Sequence, residues 1–561
     1  MKYFLLILLA TQLCYSQAEY PQNYFRDPLD IPVVLASTFA ELRSNHFHSG
    51  LDIKTQHRQG LKVHSAAKGY VSRIKISFFG YGKALYVTHP NGYTSVYAHL
   101  KKFSPKIEAY IKKLQYQKET YEIEVFPTPS ELPVDQGEII AFSGNTGGST
   151  APHLHFEIRD NRERPLNPML FGIDVKDTRA PFVSGVYAYA KDENSYVNNS
   201  NHRVELRLIP NKNGNYTVEN VQAYGNIGFG IVSNDKQDMA SNRNGLYNIQ
   251  TFFNGNKSLE IDFRRFSFNE TRHINRFIDY GFYKTKKSRI QDLFVQKGNT
   301  LSLFKDVVDN GYVRIEDSTS SVYKIRIRDF KGNETWVTIP ITGKKLSTPP
   351  KNDDSKPDYF VPANRATRLQ KDRFSVYIPP NTFYDDTYLD FDVKSDTLEF
   401  YKDIIPLQKS FSIYYDISNY KEVDKSKLFI AELYGYYQKP DYIYTTRKGD
   451  SLIARSRTLG TFALERDDEK PKITPVNFYN GKWMSKFNDL KVKIEDNLSG
   501  ISNYRATING KWILMEYDYK THLLTYDFND NVNSETENNL KVIVTDNVGN
   551  SSTFEATFFR K

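Results

Sequence analysis

The sequence predicts a mainly β protein that is divided into several domains. Tyr and Phe number 40 and 37, and aromatic side chains favour the pleated, half-buried surface of a sheet. Short β-forming runs alternate with Gly, Pro and Asn turn signals along most of the chain. Hydrophobic residues make up 39% and charged residues 25% of the 561 residues, which indicates a globular rather than a disordered protein. At about 100–200 residues per domain, this length predicts three to five domains.

Residues 1–16 are predicted to be a signal peptide that directs export. Lys2 is followed by a compact apolar run over residues 4–13, and small residues follow from Cys14. A membrane anchor is the alternative, but a span needs about 20 apolar residues and this run is about half as long. Lipid modification of Cys14 is a second alternative, although Leu13 is bulkier than the residue expected before a modified cysteine.

The composition excludes several chemistries. Cys14 is the only cysteine, so the mature chain has no thiol for disulfides, nucleophilic catalysis or a Cys-based zinc site. The formal net charge of +9 favours proximity to an anionic polymer such as a bacterial envelope. No Lys/Arg-rich helix or nucleic-acid motif is present, so no nucleic-acid partner is predicted. After removal of the signal peptide, no transmembrane helix is expected.

Residues 17–175 are predicted to form an antiparallel β domain. β-Forming runs at 84–88 and 93–99 flank Asn91-Gly92, and Asn-Gly between two such runs is a strong hairpin signal. An insertion at about 104–133 is predicted to begin with a helix, because a Ser-Pro pair opens it and apolar residues then recur at helical spacing.

Two of the segments that follow share the same opening and closing signatures. Each opens with an acidic residue a few positions before a proline and closes with a strand, an Asp, a Gly-Asn turn and a final strand. This closing pattern is typical of an immunoglobulin-like β-sandwich. Between them lie a linker rich in Pro, Lys and Asp and a β-rich block that the pattern does not assign to a fold. The predicted boundaries are 176–345 (immunoglobulin-like sandwich), 346–358 (linker), 359–466 (β-rich domain) and 467–561 (immunoglobulin-like sandwich).

Two acidic stretches of the last segment, which begin at Asp496 and Asp546, are predicted to be turns. Calcium loops are the alternative, but neither stretch has the ligand spacing of a known calcium loop. Clusters of Asp, Asn and Gly form turns by default, so turns are the preferred interpretation.

The histidines are concentrated near the N-terminus, where eight of the 11 lie in the first 155 residues. A catalytic zinc site uses imidazole and carboxylate groups as three protein ligands and leaves a fourth position for water. Residues two apart on a strand face the same side, so His153 and His155 are expected to project into one cleft. Three short motifs carry these residue types: His48-Ser49-Gly50-Leu51-Asp52, Tyr97-Ala98-His99-Leu100 and Pro152-His153-Leu154-His155-Phe156.

In this order, the motifs resemble those of the lysostaphin-type zinc endopeptidases, a family of LytM-like peptidoglycan hydrolases. That family reads H-x-x-x-D, then H-L after a strand, then H-x-H, and all three patterns are present. The resemblance covers roughly residues 40–175. It implies a LytM-like antiparallel β-sheet peptidase domain at the N-terminus, ahead of the immunoglobulin-like domains.

The same resemblance implies the cofactor, the site residues and the activity. Zn²⁺ would be held by His48, Asp52 and His155. His99 and His153 would serve as general base and transition-state stabiliser, in an order that the motifs do not decide. The implied reaction is hydrolysis of peptide cross-links in bacterial peptidoglycan by an exported protein, in the periplasm or at the cell surface.

The surroundings of the implied site can also be assigned. Tyr97 is expected to line the cleft, and the 104–133 insertion, which is longer than the usual loop of the family, is a candidate wall or lid. His46 has no carboxylate four residues later, because Gly50 stands there, so it is predicted to support the site or lie on the surface. The remaining N-terminal histidines are predicted to occupy strand or turn positions: His57, His64 and His89.

A non-catalytic envelope-binding or scaffolding protein that retains a peptidase-like domain is the alternative function. The large C-terminal array favours it, because sandwich domains commonly contact a protein or envelope partner. Inactive relatives are expected to lose ligands, however, whereas this chain keeps every motif residue.

Overall fold

The computed structural model describes residues 19–350, 356–530, 532 and 535–561. The predicted signal peptide, residues 1–16, and part of the predicted linker lie outside these residues. Strands dominate, which confirms the mainly β fold class. Within the described ranges, no helix has both the length and the apolar character needed to cross a bilayer. The α-helices are α1 (Pro105–Lys118), α2 (Tyr280–Lys286) and α3 (Glu422–Lys425).

The N-terminal domain, residues 19–175, is built on a large sheet and a smaller three-stranded sheet. Its strands are β1 (Leu35–Ser37), β2 (Leu51–Lys54), β3 (Lys62–His64), β4 (Gly69–Ile76), β5 (Lys83–Thr88), β6 (Thr94–Ala98), β7 (Leu100–Phe103), β8 (Ile123–Val125), β9 (Pro133–Val134), β10 (Ile139–Ser143), β11 (His153–Arg159) and β12 (Pro165–Leu166). The large sheet has the order β1-β2-β11-β6-β5-β4-β8, with β9 beside β4 and β12 beside β11, and the smaller sheet is β3-β10-β7.

Two predicted elements of this domain are observed. Strands β5 and β6 pair antiparallel across the Asn91-Gly92 turn, where Gly92 has a φ of 85° that favours glycine. The insertion begins with α1, which has Pro105 in its first turn.

Strand β11 separates the apolar core from the face that carries polar side chains. Leu154 and Phe156 are fully buried in the core. Because successive side chains alternate across a strand, His153, His155 and Glu157 lie on the opposite face. Periodicity within one strand therefore gathers three titratable groups on a single side of the sheet.

Residues 176–345 form a second β unit that shares its core with the N-terminal domain. One cluster of buried apolar side chains runs through both parts. Phe39 and Phe47 lie with their ring centroids 5.3 and 5.5 Å from that of Phe266. The interface is therefore packed like the interior of a single domain.

The strands of this unit belong to one connected sheet. They are β13 (Phe182–Ala190), β14 (Tyr196–Val197), β15 (Val204–Leu206), β16 (Leu208–Pro210), β17 (Tyr216–Val218), β18 (Val221–Asn234), β19 (Asn248–Phe253), β20 (Asn256–Asp262), β21 (Gln291–Asp292), β22 (Phe304–Lys305), β23 (Val313–Ile315), β24 (Ser320–Arg328) and β25 (Glu334–Gly343). The main order is β15-β13-β18-β25-β24-β19-β20-β22, and β24 with β25 forms the predicted closing hairpin.

The two remaining β units have apolar cores of their own. The first contains β26 (Tyr359–Val361), β27 (Thr367–Lys371), β28 (Phe374–Ile378), β29 (Thr387–Leu389), β30 (Asp392–Lys394), β31 (Thr397–Phe400), β32 (Phe411–Asp416), β33 (Leu428–Tyr434), β34 (Lys439–Tyr442), β35 (Thr445–Lys448), β36 (Ser451–Ser456) and β37 (Gly460–Arg466). Its two five-stranded sheets are β27-β28-β32-β36-β35 and β30-β31-β37-β33-β34, and β26 pairs with β29.

The C-terminal unit consists of a four-stranded and a five-stranded sheet, β38-β40-β44-β43 and β39-β46-β45-β41-β42. These strands are β38 (Lys472–Pro475), β39 (Lys482–Trp483), β40 (Asp489–Glu495), β41 (Ile501–Ile508), β42 (Lys511–Trp512), β43 (Met515–Asp518), β44 (Leu523–Asp527), β45 (Glu537–Asp546) and β46 (Ser551–Phe559). Strands β45 and β46 form the second predicted closing hairpin. The immunoglobulin-like assignment of this unit and of residues 176–345 stays a prediction.

The C-terminal unit packs back onto the N-terminal domain. The buried Lys83 ammonium lies 2.7 Å from a carboxylate oxygen of Glu516. On helix α1, Lys112 lies 2.6 Å from Asp530, and the Tyr116 ring lies 5.2 Å from that of Trp512. The inserted helix therefore forms much of this contact between the two ends of the chain.

Candidate metal centre

Asp52, His155 and His48 converge on the polar face of the large sheet. Asp52 on β2 stands directly opposite His155 on the neighbouring β11, and His48 lies four residues before Asp52. Asp52 Oδ1 lies 3.0 Å from His48 Nε2 and 2.9 Å from His155 Nδ1, and these two nitrogens are 3.1 Å apart. All three residues are buried, so strand pairing brings together donors that are 103 and 107 residues apart in the chain.

These donors fit a tetrahedral zinc site. Zinc–ligand distances of about 2.0–2.2 Å place neighbouring ligands of a tetrahedron about 3.3–3.6 Å apart. The observed separations of 3.0, 2.9 and 3.1 Å are slightly shorter. Two imidazoles and a carboxylate are ligands that Zn²⁺ accepts, and buried acceptors this close to one another need a shared cation or proton.

Hydrogen bonds to the far ring nitrogens orient both histidines. His48 Nδ1 donates to the carbonyl oxygen of Thr38 at 2.7 Å, which leaves Nε2 as the donor atom for a metal. His155 Nε2 lies 2.8 Å from a carboxylate oxygen of Glu157, which leaves Nδ1 facing Asp52. The two histidines therefore present different ring nitrogens to the same point.

The electrostatics of the cluster favour a positive charge. Burial opposes ionisation, but His48 and the hydrogen bonds from His153 and His155 hold the pKa of Asp52 well below its usual range. Burial also lowers the pKa of His155, yet hydrogen bonds to Asp52 and Glu157 outweigh it and raise that pKa to about 9. The site is therefore arranged to hold one cation among three donors.

Glu157 anchors a buried network behind His155. Its carboxylate accepts hydrogen bonds from Ser49 Oγ at 2.7 Å, from Arg159 Nε at 2.6 Å and from the Tyr81 hydroxyl. Burial raises the pKa of Glu157, but Arg159 and His155 overcome this effect and leave it far below the usual range. The carboxylate is therefore ionised and fixes the orientation of the His155 ring.

We expect Glu157→Gln to lower the free energy of unfolding by about 3–5 kcal/mol, because it leaves the buried Arg159 guanidinium without its charged partner. Urea unfolding of the purified protein measures the change. Glu163→Gln is the matched control, because Glu163 also lies within 3.2 Å of Arg159 but its side chain is 60% exposed; its effect should stay below about 1 kcal/mol. Equal urea midpoints for Glu157→Gln and the wild type would contradict the role of Glu157 as the charged partner of Arg159.

His99 and His153 flank the cluster. Their ring centroids are 4.7 Å apart, and the His99 ring lies 5.9 Å from that of His155. His99 Nδ1 donates to the Thr146 carbonyl oxygen at 2.8 Å, and His153 Nδ1 donates to that of Ala151 at 2.8 Å. Each bond leaves Nε2 as the basic nitrogen, and His153 Nε2 lies 3.3 Å from Asp52 Oδ1.

His99 is held in its neutral form. Burial, followed by the neighbouring His155 and His153, lowers its pKa to about 3. Its backbone φ of 58° lies in the left-handed region, an uncommon conformation for a residue with a side chain. The turn after β6 therefore imposes backbone strain that turns the His99 ring towards the other histidines.

An open cleft of about 520 Å³ adjoins the cluster. Asp52, His153 and Arg43 line it, and Arg43 Nη2 lies 3.6 Å from Asp52 Oδ2. Among the described residues, none that lines the cleft comes from 104–133. The insertion is therefore not a wall or lid of this cleft, because its helix α1 packs against the C-terminal unit instead.

The expectation that Tyr97 lines the cleft is wrong. Its side chain is fully buried in the apolar core, and its hydroxyl accepts a hydrogen bond from the backbone nitrogen of Ala66 at 2.7 Å. Strand alternation explains this, because neighbouring side chains of β6 point to opposite faces of the sheet.

The other N-terminal histidines lie apart from the cluster. His46 is exposed and bonds to the Ser44 carbonyl oxygen, and His57 occupies an exposed turn at the cleft. His64 and His89 are buried and hydrogen-bonded to backbone carbonyl oxygens. Burial lowers the pKa of His89 to about 4.

Several residues that shape the site lie outside the three sequence motifs. Glu157 follows His155 by two positions on the same strand, so the alternation that grouped the two motif histidines also predicts its place. Thr38 and Arg43 carry no comparable signal, because loop geometry before β2 brings them to the cluster.

Two family profiles match the chain. The profile of Peptidase family M23 matches residues 46–116 and 129–168, and the gap between these segments lies inside the predicted insertion. The profile of the Zu5-like domain matches residues 358–467, which gives a fold to the β-rich block that the sequence pattern left unassigned.

Curated relatives resemble the N-terminal part of the chain. The DD-carboxypeptidase/endopeptidase Mpg of Neisseria meningitidis is 31% identical over 157 residues, which are 28% of this chain and 27% of that protein. An uncharacterized metalloprotease of Haemophilus influenzae is 34% identical over 122 residues, or 22% and 20% of the two chains. The chain thus spans about a quarter of the length of these relatives.

Solved structures show similarity over the same share of the chain. The catalytic domain of lysostaphin from Staphylococcus simulans is 23% identical and covers 24% of this chain and 90% of its own, with a TM-score of 0.19. A zinc-containing peptidase from Vibrio cholerae is 26% identical and covers 27% and 38% of the two chains, with a TM-score of 0.17.

The matched segments contain the three residues of the cluster and the two histidines that flank it. His48, Asp52 and His99 lie in the first segment, and His153 and His155 lie in the second. The family match and the geometry thus concern the same five side chains. Residues 46–116 and 129–168 are therefore similar to peptidase family M23.

Proposed function

We propose that this protein is an exported, zinc-dependent endopeptidase that hydrolyses peptide cross-links of bacterial peptidoglycan. The observation that carries the proposal is the convergence of His48 Nε2, Asp52 Oδ1 and His155 Nδ1 within 3.1 Å of one another, beside two further histidines and an open cleft. The match of residues 46–116 and 129–168 to peptidase family M23 supports the reaction class, and the name of the Neisseria relative supports the substrate class.

His48, Asp52 and His155 would hold the zinc ion. Bound there, Zn²⁺ supplies Lewis acidity, which polarises a peptide carbonyl and lowers the pKa of a water molecule. Thr38 and Glu157 keep the two histidine ligands in the ring orientations that this binding needs. The protein therefore contributes a rigid donor set.

His99 and His153 would move the protons. Both rings donate Nδ1–H to backbone carbonyl oxygens, so their Nε2 lone pairs can face substrate. One ring would accept a proton from the attacking water and then deliver it to the leaving amine, and the other would lie beside the developing oxyanion. The low pKa of His99, about 3, ensures that its ring begins the reaction unprotonated.

Charge and chain organisation are consistent with an envelope substrate. The net charge of +9 favours contact with an anionic polymer. Residues 1–16 have the pattern of a signal peptide, which supports a location in the periplasm or at the cell surface. We infer that the C-terminal β units contact a protein or another envelope component.

Digestion of purified peptidoglycan tests the proposal. The zinc-loaded protein should release muropeptides that mass spectrometry identifies as products of peptide-bond cleavage, and chelation should reduce the release by at least about 100-fold, because metal activation of water is lost. Adding back zinc should restore it. Tight binding to peptidoglycan without muropeptide release would contradict the enzyme and favour the envelope-binding or scaffolding alternative.

A further inference from the structure

A small cavity of about 20 Å³ lies between the N-terminal domain and the second β unit. The carboxylates of Asp177, Asp235 and Asp329 line it, and each offers an oxygen within 4.8 Å of the others. Asp235 and Asp329 are only 2% and 3% exposed. This volume holds about one water-sized body, so the carboxylates surround a site for a single small occupant.

Two buried oxygens at this cavity lack a hydrogen-bond partner within the described part of the chain. They are Oδ1 of Asp235 and Oε1 of Gln237, and Gln237 is 4% exposed. A buried acceptor without a partner is unfavourable, and native structures nearly always satisfy such groups with protein, water or an ion. Both oxygens therefore indicate an occupant of the cavity that accepts lone pairs.

The two nearby cations that the structure describes are paired with other carboxylates. Lys331 lines the cavity, but its ammonium pairs with Asp174 at 2.5 Å, and the Arg179 guanidinium lies 3.8 Å from Asp238. The three carboxylates offer oxygens within 4.8 Å of one another, and Asp235 and Asp329 are buried. Accumulated negative charge is thus unfavourable here unless a cation enters.

The same arrangement occurs a second time in the C-terminal unit. Asp467, Asp496 and Asp546 form a carboxylate triad there. Asn550 Nδ2 donates to Asp546 Oδ2 at 2.7 Å and to the Asp467 carbonyl oxygen at 3.0 Å. In the first triad, Asn333 Nδ2 donates to Asp329 Oδ2 at 2.7 Å and to the Asp177 carbonyl oxygen at 3.3 Å.

The repetition extends to the unpartnered oxygen. Asp496 Oδ1, like Asp235 Oδ1, is buried and has no partner among the described residues. The stretches after Asp496 and Asp546 do form the predicted turns, since these carboxylates accept backbone N–H groups of the following residues. The turns also bring the carboxylates of distant strands together, which their local spacing did not reveal.

We propose that Asp177, Asp235, Asp329 and Gln237 bind one Ca²⁺ ion at the seam between the N-terminal domain and the second β unit. All four donors are oxygens, and such a site favours a hard cation over Zn²⁺. Mg²⁺ usually keeps several waters, and a cavity of about 20 Å³ has no room for them. Ca²⁺ accepts carboxylate and amide oxygens directly.

This ion would support the proposed active site through Thr38, which also lines the cavity. Thr38 Oγ1 accepts a hydrogen bond from the Gly245 backbone nitrogen at 2.9 Å, and its carbonyl oxygen holds His48 Nδ1 at 2.7 Å. The cation would therefore stabilise the interface that positions Thr38, and Thr38 in turn orients the proposed zinc ligand His48. Calcium binding itself does not depend on the peptidase being active.

Equilibrium dialysis with radioactive calcium tests the proposal on the full-length, zinc-loaded protein. Asp235→Asn keeps the shape of the side chain and removes one charged donor, so this variant should bind one equivalent of calcium fewer than the wild type. Glu219→Gln, an exposed carboxylate of the same unit that pairs with Arg207, should bind as many equivalents as the wild type. Millimolar calcium should raise the melting temperature of the wild type more than that of Asp235→Asn.

A second variant covers the case in which Asp235→Asn fails to fold. Gln237→Met removes the unpartnered oxygen without a change of charge and should weaken calcium binding at this site by about tenfold, because affinity follows the number of ligands. A wild-type protein that binds no calcium would overturn the proposal. Unchanged calcium stoichiometry in Asp235→Asn, or unchanged affinity in Gln237→Met, would also overturn it. Peptidoglycan digestion is a separate measurement, so either proposal can fail alone.

Discussion

His48→Ala should reduce bound zinc from about one ion per chain to less than about a tenth of that value and lower peptidoglycan hydrolysis by at least about 1,000-fold. The substitution removes one of three protein ligands and leaves only Asp52 and His155 at the cluster. The Thr38 carbonyl oxygen would lose the ring that it orients. Metal analysis of the purified variant and muropeptide release measure the two effects.

His46→Ala is the matched control for this substitution. His46 lies two residues earlier, is exposed and contacts only the loop carbonyl oxygen of Ser44 through its ring nitrogen in the described structure. It should retain zinc and most of the activity. If His48→Ala also kept its zinc, the assignment of His48 as a ligand would be contradicted. If it lost zinc but stayed active, the proposal that the reaction depends on the metal would be contradicted.

Strand periodicity made much of the site predictable. Positions two apart on β11 share a face, so the sequence alone predicts that His153 and His155 lie together. The same alternation removes Tyr97 from the cleft, but the face of β6 that turns towards the core depends on its neighbours, β5 and β11. A motif thus identifies a strand more readily than it identifies the direction of each side chain.

Contacts between distant segments were beyond the sequence patterns. The insertion has the position of a lid, yet α1 packs against the C-terminal unit through Lys112 and Tyr116. The same holds for the first carboxylate triad, because Asp177 precedes β13, whereas Asp235 and Asp329 directly follow β18 and β24. The sequence shows where turns, strands and acidic residues occur, but only the folded structure shows which distant segments contact one another.

The C-terminal unit also reaches the loop that holds the proposed catalytic histidines. Lys520 Nζ donates to the Ser149 carbonyl oxygen at 3.0 Å and also contacts the Asn145 carbonyl oxygen. The same loop supplies the Thr146 carbonyl oxygen that orients His99. A domain more than 300 residues away in the chain therefore contributes to the shape of the site.

His99→Asn should retain zinc but lower hydrolysis by about 100- to 10,000-fold, the usual contribution of a general acid or base. Asparagine is preferred to alanine because residue 99 has a φ of 58°, and asparagine tolerates this left-handed conformation. The substitution removes the basic nitrogen while every ligand of the proposed zinc site stays in place. Zinc content and the turnover number of the same preparation measure the separation between metal binding and proton transfer.

His57→Asn is the matched control, because His57 also has a left-handed backbone, with a φ of 60°, and also lines the cleft. The two histidines differ in one decisive respect: the His99 ring lies 4.7 and 5.9 Å from those of His153 and His155, whereas His57 is exposed at a turn. If activity depends on proton transfer at the cluster, only the first substitution should abolish it. Similar losses in both variants would instead indicate that the cleft needs histidine for substrate contact, and full activity in His99→Asn would assign the proton transfer to His153 alone.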